Sequence, residues 1–97
     1  MKLTAQALRL IQDELYPSAK GELSMPLPHV QSCLEMAMYL GFDVTANVAR
    51  VNKEAGEHQI ALVPLENHRE ILSLLDKLVP NSTAKFEAQF ASLRSKI

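Results

Sequence analysis

The sequence predicts a small single-domain α+β protein, spanning residues 1–97, in which helices pack against one antiparallel β-hairpin in the order ααββαα. Three observations carry that expectation. Val44–Pro64 holds two β-leaning runs around a polar Asn52–Glu57 loop that contains Gly56. Val44, Ala46 and Val48 share one side of an extended chain, as Ile60 and Leu62 do in the second run, and such alternation marks a half-buried strand. On both sides of this stretch the apolar residues recur at helical spacing instead.

The first helix is expected from Thr4, a good N-cap, to about Tyr16. Leu8, Ile11 and Leu15 fall at i, i+3 and i+7, Leu3, Ala7 and Leu10 widen the same face, and Pro17 stops the helix. Ser18–Leu27 reads as a connection, with room at Gly21–Met25 for a short edge strand. Pro28 suits the first turn of a second helix and biases Leu27 away from helical angles. Val30, Cys33, Leu34, Ala37 and Leu40 line one face of this helix, while Met36, Met38 and Tyr39 make the rest apolar too. A helix apolar nearly all round belongs at the centre of a core. Gly41 supplies its left-handed C-terminal residue.

After the hairpin, Asn67 and Glu70 have capping-box spacing. Ile71, Leu72, Leu74, Leu75, Leu78 and Val79 give a strongly apolar third helix, ended by Pro80. Asn81 or Ser82 caps a fourth, whose stripe of Phe86, Phe90, Leu93 and Ile97 is expected to close the chain's own core rather than dock on a neighbour.

Composition narrows the function. The chain has 97 residues and a formal net charge of −1, with acids and bases interspersed. It lacks the basic surplus that neutralises nucleic-acid phosphates. A single cysteine excludes an internal disulfide and favours a reducing compartment. Gln6, Arg9, Gln12 and Asp13 interrupt any apolar leader, and the longest nonpolar run, Met36–Phe42, is too short to span a bilayer, so a cytoplasmic protein is expected.

No catalytic constellation assembles. His29 and Cys33, four apart, would share a helix face as half of a zinc site, but no second cysteine or paired-ligand motif completes one. Cys33, set among Val30, Leu34 and Ala37, reads as a buried thiol rather than a nucleophile. Glu54 with Glu57 reads as loop-tip charge, and Glu66 with Glu70 as a solvated helix start. There is no Gly-x-Ser-x-Gly elbow and no glycine-rich phosphate cradle. Neither a metal, a cofactor nor an enzymatic activity is expected.

The alternative lies in residues 36–51. Ala37–Val51 resembles a helix-turn-helix, with Ala37 on the first helix, Gly41 in the turn and Asp43 capping the second. Val44, Val48 and Val51 also satisfy a helical period, and Thr45, Asn47 and Arg50 would then face the bases. The spacing departs by one residue from the usual pattern, because the buried valine falls one place late. β-Branched side chains favour the strand.

The expected function is therefore a small non-catalytic protein–protein interaction or regulatory module. A lone hairpin is marginal by itself and has open edges, so the first expected partner is a second copy, two hairpins completing one sheet across a homodimer. Contacts are assigned to the hairpin's exposed side and tip: Thr45, Asn47, Arg50, Lys53, Glu57 and His58. A helix at Val44–Val51 would remove the sheet and the edge pairing and bring DNA forward.

Overall fold

The computed structural model describes residues 1–20 and 24–97, so most of the Gly21–Met25 strand expectation lies outside the described residues. Five α-helices run through them: α1 (Ala5–Leu15), α2 (Leu27–Tyr39), α3 (Thr45–Ala55), α4 (Leu65–Leu75) and α5 (Ser82–Lys96), with a short 3-10 turn at Pro17–Ala19. Among the described residues there is no β-strand. Lys2 and Asp43 form an isolated parallel bridge. The fold is thus all-helical, and the α+β class, the ααββαα order and the sheet shared by a homodimer are overturned together.

α1 forms where expected. Thr4 Oγ1 accepts from Ala7 N at 3.1 Å, and Ala7 and Ile11 are buried. α2 begins one residue early, at Leu27, with Pro26 as its cap residue. Pro28 then occupies the second helical position, where its missing N–H still costs no helix bond. At the other end Gly41, at φ 99°, donates to Met38 O, and Phe42 N donates to Ala37 O. This paired closure needs a left-handed residue, and it turns the buried Phe42 back under the helix.

The decisive correction is α3. Val44 is buried and Val48 and Val51 are half-buried, but Ala46 is exposed, so the valines take sides at i, i+4 and i+7 rather than at every second residue. Magnitudes explain the outcome. Each β-branched residue costs a helix a few tenths of a kcal/mol, up to about 0.7, which the half-burial of Val48 and Val51 can offset, since burying a valine completely gives ~1.5 kcal/mol or more. Ala46, Ala49, Arg50, Lys53, Glu54 and Ala55 add good helix formers between them. Asp43 Oδ1 accepts from Thr45 N at 3.1 Å and ties off the entry.

The second expected strand becomes the connector between α3 and α4, and its backbone groups find side chains instead of a partner strand. Asn52 takes both groups of Ile60: its Oδ1 accepts from Ile60 N at 2.7 Å and its Nδ2 donates to Ile60 O at 3.1 Å. Glu35 Oε2 accepts from Val63 N at 2.7 Å, and the Tyr39 hydroxyl donates to Val63 O at 2.6 Å. Ile60 is buried and Leu62 half-buried, so alternation survives there without a sheet.

α4 starts at Leu65 behind Pro64, two residues ahead of the expected Asn67 cap, and no side chain caps it. It ends at Leu75, short of Pro80. Asp76, from the turn that follows, accepts from Thr83 N at 2.9 Å and caps α5 in place of Asn81, which takes the left-handed conformation at φ 73°. Phe86, Phe90 and Leu93 are buried within their own chain, whereas Ile97 is exposed. α1 packs across both α2 and α5, and α4 lies against α5. The core therefore sits between α1, α2 and α5, and α4 forms one flank.

Candidate functional site

α4 has two apolar sides. Leu65 and Leu72 turn inward and are half-buried against the core. Ile71, Leu74, Leu75, Leu78 and Val79 form an outward ridge, exposed by 54, 64, 38, 81 and 55 % respectively. Their spacing is i, i+3, i+4, i+7 and i+8, the stripe by which a helix normally faces a core. Here it faces solvent, carried past the end of α4 by the turn in which Leu78 N donates to Leu75 O. Isolated exposed aliphatic residues are ordinary, whereas five within nine positions are an unusual concentration.

The ridge has a charged edge. Glu66, Glu70 and Lys77 are exposed and spaced i, i+4 and i+11, so they fall along one side of the helix and its continuation, acids first and the base last. Arg69, on the same helix, is engaged elsewhere, pairing with Glu87 of α5 at 2.9 Å.

The residues assigned to contacts from sequence are scattered over a different surface. Thr45, Arg50 and Lys53 are exposed on α3, beside Ala46, Ala49 and Glu54. Asn47 is half-buried at the edge of that face, and Glu57 and His58 are exposed in the turn after Gly56. There is no hairpin tip for them to occupy. The face mixes two bases with Glu54, and Glu57 lies just beyond it.

The catalytic and metal candidates separate in space. Cys33 is fully buried, and burial pushes its thiol up to about 11. His29 instead stacks on Tyr16, with ring centroids 3.9 Å apart. Among the described residues no three His, Cys, Asp or Glu side chains converge. Nor is any helix among them long and apolar enough to cross a membrane.

Compared with protein-family models, with curated proteins and with solved structures, the chain finds no match. The geometry of its own surface has to carry the reading.

Every residue of the ridge is visible in the sequence, where its spacing reads as core. Six large aliphatic residues within Ile71–Val79 are more than one core-facing stripe accommodates. That excess was the available signal.

Proposed function

We propose that this protein is a non-catalytic interaction module whose docking face is the α4 ridge and whose first partner is a second copy of the chain. The observation that carries the reading is the exposure of five large aliphatic residues, Ile71, Leu74, Leu75, Leu78 and Val79, along α4 and the turn that follows it. Charge supports self-association. If two ridges meet antiparallel about a two-fold axis, Glu66 and Glu70 of one copy lie towards Lys77 of the other. A two-fold interface requires that kind of self-complementarity. A domain this small also gains stability by covering such a surface.

Sedimentation velocity on the protein and on the Leu74→Asp, Leu78→Asp double variant tests the reading. The expected result is a concentration-dependent dimer at micromolar protein that the double variant abolishes without loss of helicity. A monomer throughout that range, or a dimer indifferent to the two aspartates, overturns it.

DNA binding is the second reading, favoured by the helical state of Thr45–Ala55. α2, the Leu40–Val44 turn and α3 have helix-turn-helix order, and the outer face of α3 presents Thr45, Arg50 and Lys53. Loss of the hairpin removes the edge-pairing argument for a protein partner and brings DNA forward. The ridge keeps a protein partner ahead, because a chain with net charge −1 has few phosphate contacts to offer. A mobility shift with duplex DNA that weakens with salt and is lost in Arg50→Ala, Lys53→Ala would reverse this order.

A further inference from the structure

A cavity of about 350 Å³ opens between the end of α1, the middle of α2, α4 and the start of α5. Its size lies at the small end of organic-ligand sites, roughly 300–1,000 Å³. Leu15, Met36 and Leu72 give it apolar walls, and Tyr39, His68 and Phe86 give it an aromatic one. Within that wall the His68 and Phe86 ring centroids are 4.6 Å apart, and Tyr39 meets Phe86 edge-on at 6.0 Å.

Part of the polar lining of this cavity can only accept. Ser32 Oγ gives its proton to Pro28 O and Ser82 Oγ gives its own to Val79 O, so each keeps only lone pairs to offer. The Tyr39 hydroxyl is committed to Val63 O. Glu35 is only 6 % exposed, and its Oε2 takes both of its contacts, Val63 N and Gln31 Nε2, leaving Oε1 without a partner among the described residues. Oε1 is not sealed off from solvent, so a donor entering the cavity can reach it. Donors line the cavity as well, Tyr16 at the end of α1, His68 on α4 and Lys85 and Gln89 on α5, but Lys85 is exposed whereas Glu35 is buried.

We infer that this cavity binds a small organic amine: a primary ammonium on a compact apolar or aromatic body. The ammonium donates to Glu35 Oε1 in a charge-assisted bond, and the body packs between Leu72, Met36 and Phe86. This inference does not rest on the self-association reading, although Val79 belongs both to the ridge and to the cavity lining.

Phenethylamine, 2-phenylethanol and 3-phenylpropionate match one another in body and differ in the end group, so titrating the three by NMR and calorimetry tests the inference. The expected result is saturable binding of the amine, at least about ten-fold tighter than the alcohol, with no competition from the acid. Shift changes should centre on Glu35, Leu72 and Phe86, and Glu35→Gln should bring the amine down to the alcohol's affinity. Glu35 also holds Val63, so if Glu35→Gln fails to fold the ligand series on the unaltered protein decides. Equal affinity for amine and alcohol, preference for the acid, or no saturable amine binding at millimolar concentration overturns the inference.

Discussion

Glu35 and Tyr39, one turn apart on α2, hold the two backbone groups of a single residue, Val63. The carboxylate accepts from its N–H and the phenol donates to its carbonyl. This is the pairing a neighbouring strand would provide, supplied by two side chains of a helix. Burial, with the Glu35 charge beside it, raises the Tyr39 phenol above its ordinary value, so it remains a donor at any physiological pH.

Removing half of the clamp should therefore show. Tyr39→Phe keeps the ring against Phe86 and His68 but leaves a part-buried carbonyl without its donor. The expected loss is about 1–3 kcal/mol in urea unfolding. The Val63 amide should retain its hydrogen-exchange protection relative to global stability, because its own acceptor is Glu35. Loss of protection at Val63 equal to complete local opening would show that the two bonds stand or fall as one.

Asn52 does for Ile60 what Glu35 and Tyr39 do together for Val63, and it does so alone from α3. Asn52→Ala should cost about 1–3 kcal/mol from two unmade bonds, reduced by the few tenths that alanine gains in a helix. Asn52→Asp is the sharper probe. Near neutral pH its second oxygen would face the Ile60 carbonyl with no proton between them, so it should be at least as damaging as alanine. In acid the protonated carboxyl can donate again and the deficit should shrink. Thermal melts of both variants at neutral and acid pH check the sign.

These clamps also explain which parts of the architecture the sequence disclosed. The cap at Thr4, the stop near Pro17, the closure at Gly41 and the Phe86, Phe90 and Leu93 part of the α5 stripe rest on local chemistry and were legible, whereas Ile97 at its end is exposed. The state of Val44–Val51 was not, because Val44, Val48 and Val51 fit either period and Ala46 was the residue that separated them. Its exposure is decided by packing against the rest of the chain, which no local pattern contains. Ile60–Val63 misled for another reason. Its alternation is genuine, but the groups that pair with it lie far away in sequence, on Glu35, Tyr39 and Asn52. The ridge residues were visible as apolar and misplaced as core, because spacing identifies a face without saying what covers it. The cavity left no trace in sequence: Glu35 reads as an ordinary helical acid until Val63 is seen against it.

Acid stability gives the last prediction. Glu14 of α1 accepts from the Ser92 hydroxyl and from Lys96 on α5, and these bonds, Ser92 first, hold its carboxyl below the ordinary value despite partial burial. Asp43 is lowered in the same direction by Thr45, chiefly through the backbone N–H. A carboxyl whose value is lower in the folded state contributes stability above its unfolded value, about 4.3 for Glu, and loses it as pH falls through the folded value. The protein should therefore weaken below roughly pH 4, where protons bind the unfolded chain first. Glu14→Gln keeps an acceptor for Ser92 but removes the titrating charge. It should be less stable than the unaltered protein at neutral pH, and the difference should close in acid, leaving a flatter profile of urea midpoint against pH. A difference that stays constant from neutral to acid would mean that Glu14 joins α1 to α5 by shape and hydrogen bonding, with its charge contributing nothing.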